Sequence, residues 1–465
     1  MLSDLKLSLT ASDHLLLRNH LFPGDGFEAV SILICGRTGS RHERLCVSEI
    51  ILIPHETCTI RTAVRVDWSG DYLEQAIDAA DRIGGSIILI HSHPGGFFGF
   101  SDLDDESDAV SIPSLRFGSA NESIPHGSAI MIPSGEIKAR LYDHSGNPHP
   151  IRHILSIGED IKQLDEPSAP PVLPFSSQMT CDLNGKSACV IGASGTGSVV
   201  IENLCRRGIG KIVLIDFDLI EHKNLNRILN STIQDAEAAR FKTKMLQEVI
   251  RKYRCDIEII TVETSVQSEK AIVAASGCDV LFSCVDTMEA RYYCELMCRT
   301  FVQPLIDVGV TIPTAQREKE AVRILDVCGR VDYVHPDGPS LSDRGVVTPE
   351  GLHAEYLLRV DPEAFVRNIE EGYIRGIPEE APSVVTLNMI GAALAVEEWI
   401  ARCYPYRHEG NGEHDRVFFS LAGREFEYEK VDYNSAEGEA LSKGQGLIYP
   451  LLGLVRTENS DRAAA

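Results

Sequence analysis

Two histidines two positions apart end an apolar run in "SIILIHSHPGGFFGFSDLDD", residues 86–105. In an extended backbone, residues i and i+2 face the same side, so His91 and His93 can reach one metal ion. Ser101 and Asp104 stand one helical turn apart at the start of "SDLDDESDAV", which lets Asp104 add a third ligand from a helix N-terminus. Three protein ligands leave a fourth tetrahedral position for water, the pattern of a catalytic zinc. Such an ion brings the pKa of its bound water to roughly 7 and creates a nucleophile at neutral pH. The same residues also admit a plainer reading. Ser101 followed by acids is an ordinary helix N-cap, with Asp and Glu favoured in the first turn by the helix dipole, and turn histidines can simply be hydrogen-bonded.

A second cluster begins at "ACVIGASGTGSVV", a strand, a glycine turn and a helix start. Gly192, Gly195 and Gly197 let the backbone approach a phosphate at a helix N-terminus, where free amides favour an anion. Asp216, at the end of the next apolar run, suits a ribose hydroxyl in either an NAD or an ATP site. Read as a dinucleotide fingerprint, the turn fails at its second glycine, where Ser194 stands. The residues that follow favour ATP. "IDFDLIEHKNLNR" supplies Asp216, Asp218, Asn224 and Arg227, "RFKTK" supplies Lys242, and "FSCVDTMEARY" supplies Asp286. Nucleotidyl transfer needs cations to offset charge on the α-phosphate and pyrophosphate, and an acid to hold magnesium. Lys242 is preferred to Lys244 from its helical spacing to Val249, Ile250 and Tyr253.

Two sets of elements must position these residues. The runs "AVSILICG", "SEIILIP", "SIILIHSH" and "SAIMIPS" read as strands, and "DYLEQAIDAADRIG" as one amphipathic helix. They predict a compact α/β domain over residues 1–160. "DEPSAPPVLPFSSQ", residues 165–178, breaks all periodicity with four prolines, and a linker is expected over 161–180. Beyond it, strand, turn and helix patterns alternate. This predicts crossover units and a mostly parallel, Rossmann-like sheet over 181–455, with "SVVTLNMIGAALAVEEWIARC" as a long buried helix. Residues 456–465 read as a frayed tail.

The chain has 465 residues, 43% hydrophobic and 24% charged, which is the composition of a soluble globular protein. A formal net charge of -24 argues against nucleic acid as the main partner, because phosphate binding needs clustered Lys and Arg. The thirteen cysteines form no even framework and no CxxC pair, as in a reduced, intracellular protein. No signal peptide and no apolar run of membrane-spanning length is read, so a cytoplasmic location is expected.

H-x-H-P-x(6)-S-x-x-D, met at His91, His93, Pro94, Ser101 and Asp104, resembles the motif of JAMM (MPN/Mov34) metalloproteases. That resemblance implies a cytidine-deaminase-like α/β fold, zinc on His91, His93 and Asp104, and Ser101 aiding the oxyanion. It also implies a glutamate before the first core strand as general base, a position that Glu28 fills in "GFEAVSILICG". The family's usual work is cleavage after the C-terminal glycine of ubiquitin-like proteins. The second half is similar to the ThiF/MoeB and ubiquitin-activating superfamily. G-x-G-G-x-G, D-x-D, N-L-x-R, K and D are met in order over roughly 181–320, with Ser194 replacing one glycine.

That second resemblance implies ATP at Gly192, Gly195, Gly197 and Asp216, and Asn224, Arg227 and Lys242 on phosphates. It further implies magnesium at Asp286 and a homodimer. Two family features are missing. Ser177 stands where relatives carry an arginine, and "HPDGPSLSDRG" has Ser340 and Asp343 where relatives carry cysteines, which leaves Cys328 as the nearest transfer cysteine. Together the resemblances imply a bifunctional enzyme with zinc, ATP and magnesium as cofactors. It would act on a ubiquitin-like or sulfur-carrier protein ending in glycine, with a conjugating enzyme as a further partner. Bacterial conjugation, including antiviral systems, and thiocarboxylate synthesis both fit. A non-catalytic scaffold and an NAD-dependent oxidoreductase are the competing readings.

Overall fold

The apolar runs near the N-terminus do form strands, and the reason is their side-chain chemistry. β-branched and aliphatic residues pack well on a pleated surface buried on both faces. The computed structural model describes residues 5–167, 172–315, 323–363, 365, 384–431 and 443–454. The tail at 456–465 lies outside the described residues, as do 168–171 of the proline stretch. The described residues group into two units. The first falls within Met1–Pro171, Arg299–Gln303 and Ser435–Arg456; the second within Val172–Cys298, Pro304–Asn434 and Thr457–Ala465.

The first unit runs β1 (Leu5–Thr10), α1 (Ala11–Leu21), β2 (Val30–Thr38), β3 (Arg44–Leu52), β4 (Ile60–Arg61) and β5 (Val66–Asp67). It continues with α2 (Asp71–Ile83), β6 (Ser86–Ser92), α3 (Asp102–Gly118), β7 (Gly127–Met131), β8 (Ile137–Tyr142), β9 (Pro148–Ile157) and β10 (Ile161–Gln163). Eight strands form one sheet in the order β1-β3-β2-β6-β7-β8-β9-β10, and β1 also pairs with β9 in parallel. That extra pairing curls the sheet into a barrel-like form. Leu5, Leu7, Leu9, Leu33, Ile88, Ile90, Ala129 and Ile154 fill one core. Ile32, Ile34, Ile87 and Leu89 face the other way, against Ala76, Ala79 and Ala80 of α2 and Ile112 and Leu115 of α3.

Local periodicity predicts one amphipathic helix and one helix start here, whereas the structure holds α1 as well. "HLLLRNHL" hides its period, because three consecutive leucines include two exposed ones, Leu15 and Leu16, beside buried Leu17. Residues 443–447 belong to this unit as well. The Gly36 N–H donates to Gly444 O (3.1 Å), the Leu447 N–H to Arg37 O (2.9 Å) and Ser48 Oγ to Lys443 O (2.9 Å). Lys443 Nζ pairs with Asp13 (2.8 Å). A Cβ on Gly36 would collide with the Gly444 carbonyl, and Gly444 itself has φ +66°, so glycine is needed on both sides of this crossing.

The second unit contains α4 (Ser177–Leu183), β11 (Ser187–Ile191), α5 (Gly195–Arg207), β12 (Lys211–Ile215), α6 (Ile233–Glu237), α7 (Lys242–Arg251) and β13 (Glu258–Val262). There follow α8 (Glu269–Ser276), β14 (Val280–Ser283), α9 (Met288–Thr300), β15 (Leu305–Thr311), the pair β16 (Thr314–Ala315) and β17 (Arg323–Ile324), and β18 (Cys328–Val334). Then come α10 (Pro349–Val360), α11 (Val385–Cys403), β19 (Arg416–Ser420) and β20 (Glu425–Glu429). The sheet order is β13-β12-β11-β14-β15-β18-β19-β20. The expected parallel sheet covers only its first five strands, since β15, β18, β19 and β20 pair antiparallel. The expected long helix is α11, with Ala392, Ala395, Trp399 and Ile400 buried. All thirteen cysteines are free thiols. Among the described residues, no helix is long and apolar enough to cross a membrane.

Candidate functional site

β6 carries the histidine pair. His91 stands in register with Val30 of β2 and Ile130 of β7, and the His93 N–H donates to Met131 O (2.8 Å). A turn closed by the Gly96 N–H on His93 O (2.9 Å) carries the chain away from the sheet. Ser101 then caps α3. Its Oγ accepts from the Asp104 N–H (3.3 Å), while Asp104 Oδ2 accepts from the Ser101 N–H (2.5 Å) and Oγ (2.9 Å). This is a capping box with Asp at N3. The cap does not use up the carboxylate, since Asp104 also meets both histidine rings.

His91 Nε2 lies 3.1 Å from His93 Nε2 and 3.0 Å from Asp104 Oδ1, and His93 Nε2 lies 3.5 Å from Asp104 Oδ2. Donors about 2.0–2.1 Å from a tetrahedral zinc stand roughly 3.3 Å from one another, so the spacing fits that ion. His93 Nδ1 lies 2.8 Å from Phe97 O. A carbonyl only accepts, so Nδ1 carries the proton and a neutral ring keeps its Nε2 lone pair for a cation, the outer hydrogen bond typical of metal-bound histidine. Burial alone would raise the Asp104 pKa, but with protons instead of a cation on Nε2 of His91 and His93, their hydrogen bonds outweigh it and hold the carboxylate well below its usual range. The donor set thus favours positive charge among these three side chains.

Glu28 precedes β2 and is buried. Its carboxylate comes within 4.8 Å of the His91 and His93 nitrogens. Burial raises its pKa, with the two histidines pulling it down and Asp104 pushing it up. Its backbone is held on both sides: the Glu28 N–H donates to Thr62 O (2.7 Å), and Arg61 Nε donates to Glu28 O (2.9 Å). Arg61 also pairs with Asp25 (2.5 Å). Nothing in the local sequence marks Arg61, because it reaches Glu28 across 33 residues of chain.

In the second unit the glycine turn leaves β11 and starts α5. Gly192 has φ +88°, a region that favours glycine. A Cβ on Gly197 would collide with the Gly192 carbonyl, and one on Gly195 with Asn388. The turn is therefore tightly closed, with Ser194 accommodated at the start of the helix. Asp216, at the end of β12, accepts from the Ala193 N–H (2.7 Å) and the Asp218 N–H (2.8 Å). Burial raises its pKa, against the pull of Lys242. Buried Lys242 sits 2.6 Å from Asp218 Oδ2 and 4.0 Å from Asp216 Oδ2, whereas Lys244 pairs with Glu263 (3.2 Å) instead.

Asn224 is buried, and its Oδ1 accepts from the Glu221 N–H (3.0 Å). Arg227 donates to Lys223 O (3.2 Å), and its Cδ approaches Gly195. Asp286 stands exposed just after β14, the strand beside β11. Asn388 of α11 escapes a reading by local motif. It is buried and accepts from Thr196 Oγ1 (3.1 Å) against the glycine turn. Cys328 begins β18 and is buried; burial pushes its thiol pKa up and neighbouring Asp326 adds to the rise. That is the opposite of what a transfer nucleophile needs.

Residues 172–350 match the ThiF family, so this segment is a ThiF-family domain. The chain is similar to ubiquitin-like modifier-activating enzyme 5 of Culex quinquefasciatus, 31% identical over 135 residues, which are 27% of this chain and 34% of that protein. The same enzyme of Xenopus laevis is 31% identical over 137 residues, again 27% and 34%. The chain thus spans about a third of the length of these curated relatives. Among solved structures, E. coli MccB with ATP aligns at 17% identity and a TM-score of 0.41, over 55% of this chain and 67% of that one.

Proposed function

We propose that the chain processes and activates the C-terminus of a ubiquitin-like protein, with the first unit hydrolysing at the terminal glycine and the second adenylating the carboxylate. The observation that carries the hydrolytic half is the triangle of His91, His93 and Asp104 with Glu28 beside it. His91, His93 and Asp104 would hold a zinc ion, which would supply Lewis acidity for hydrolysis. Glu28, buried beside the two histidines, is suited to accept a proton from an attacking water and return one to the leaving amine. Ser101 Oγ carries one proton, which it gives to Asp104 Oδ2 here; turned away from that carboxylate, it is suited to donate to a developing oxyanion.

The ThiF match supports the adenylating half. The Gly192–Gly197 turn offers backbone amides to phosphates, Asp216 a carboxylate to a ribose, and Lys242 and Arg227 charge to the α-phosphate. Asp286 is suited to magnesium. The terminal carboxylate oxygen bonds to the α-phosphorus as pyrophosphate leaves with the bridging oxygen. The relatives named as activating enzymes of a ubiquitin-like modifier support this substrate class; the pathway we propose for it is bacterial conjugation or sulfur-carrier activation.

ATP–pyrophosphate exchange with purified candidate ubiquitin-like proteins ending in glycine tests the second half, and absence of exchange with every candidate refutes it. Hydrolysis of a C-terminally extended form of the same partner, lost on chelation and restored by zinc, tests the first.

A further inference from the structure

Arg140, on β8, is only 8% exposed and contacts the helix that carries Asp104. Its Nη1 donates to Asp105 Oδ1 (2.6 Å), its Nη2 to Asp108 Oδ2 (2.6 Å), and its Nε to Asp108 Oδ2 and Ser128 Oγ (3.1 Å each). The same guanidinium sits 3.7 Å from the centroid of the Phe100 ring. Ser128 Oγ and Tyr142 OH (2.7 Å) also donate to Asp108 Oδ2.

These partners bracket Asp104. Phe100 immediately precedes Ser101, the cap of α3. Asp105 follows Asp104, and Asp108 lies one turn further along the same helix face. Ser128 belongs to β7, which pairs with β6 so that Ile130 faces His91. One side chain therefore joins both ends of the 100–108 segment to the strand beside the histidines. Asp104 must present Oδ1 to His91 and Oδ2 to His93, and a shift of about 1 Å along or around the helix would lose one of these contacts.

Stability alone is a weak explanation for this arrangement, because a buried ion pair is often no more stabilising than an apolar pair of the same volume. What an arginine adds is direction: its planar fork fixes two carboxylates and a hydroxyl at once. We infer that Arg140 is a positioning residue that sets the register of α3, acting through Phe100, Asp105 and Asp108, so that Asp104 completes the metal site. This inference rests on the metal reading proposed above.

The test measures zinc affinity of the full chain by competition with a chromogenic chelator, and records visible absorption of the cobalt-substituted protein. Arg140→Gln should weaken zinc binding by about 10–100-fold and shift the cobalt bands even at saturation. Arg140→Lys should recover only part of the affinity. Asp105→Asn removes one arm without stranding a buried charge, since the Asp105 side chain is 61% exposed, and should weaken zinc about 10-fold, the low end of outer-shell effects. Wild-type affinity and an unchanged cobalt spectrum in Arg140→Gln and Asp105→Asn would overturn the inference. If Arg140→Gln shows no cooperative thermal transition, Asp105→Asn decides alone in the same two directions. A wild-type chain that binds no zinc would overturn the metal reading and the inference with it, an outcome distinct from a variant that binds normally.

Discussion

His126 stands 2% exposed beside β6, the strand that carries His91 and His93. Its Nδ1 accepts from the Ile87 N–H (3.1 Å), and its Nε2 lies 3.2 Å from Ser119 Oγ. Burial, reinforced by Arg37 and Arg116, lowers its pKa from 6.5 to about 4. The folded state therefore holds the neutral ring, while the unfolded chain takes up a proton below pH 6.5. Stability is unaffected well above pH 6.5 and falls as pH drops toward 4. A difference of about 2.5 units corresponds to roughly 3 kcal/mol in all, about 2 kcal/mol of it already lost at pH 5. Protonation at Nδ1 would also strand the Ile87 N–H, which acts in the same direction. Of the two tryptophans, Trp68 lies in the first unit and Trp399 in the second, so a Trp399→Phe background makes fluorescence report the first. Urea midpoints between pH 7.5 and 4.5 should fall steeply in this background and visibly less steeply with His126→Gln added. Parallel curves, or a His126 ring resonance titrating near pH 6.5, would refute the reasoning.

Three further outcomes are expected. Glu28→Gln should abolish hydrolysis by at least about 100-fold, the scale of lost general-base catalysis, with zinc content by plasma emission unchanged; residual activity near wild type would mean another base. Gly197→Ala should abolish binding of a fluorescent ATP analogue, because its Cβ would meet the Gly192 carbonyl, while leaving zinc content intact. Gly36→Ala should displace residues 443–447 from β2 and lower stability by about 1–3 kcal/mol, read as a lower thermal midpoint with ATP-analogue binding retained.

The legible parts of the sequence are those whose partners are close along the chain. His91, His93, Ser101 and Asp104 fit within one strand, one turn and one helix start, so period and cap chemistry are enough to bring them together. Glu28 lies 63 residues before His91; only the resemblance marks it, since a lone acid before a strand has no local signature. The glycine turn after β11 is legible for the same reason as the histidines. By contrast, Arg61, Arg140 and Asn388 act across 33, 32 and 192 residues, and no periodicity encodes such distances. The pairing of β1 with β9 is equally non-local, so the curled sheet does not follow from strand patterns. The antiparallel end of the second sheet was blurred by short strands separated by long connections.

The seating of residues 443–447 on β2 and β3 bears on how the protein is made. The chain emerges from the ribosome N-terminus first, at about 5–20 residues per second. The strands that receive this segment are complete well before Lys443 exists, and synthesis of the intervening residues takes roughly 20–80 s at those rates. Throughout that interval Gly36, Arg37 and Ser48 lack the backbone partners that the finished protein gives them. The part of the chain translated first is thus among the last to acquire its full set of contacts, and a stalled or prematurely terminated product would carry an exposed strand margin.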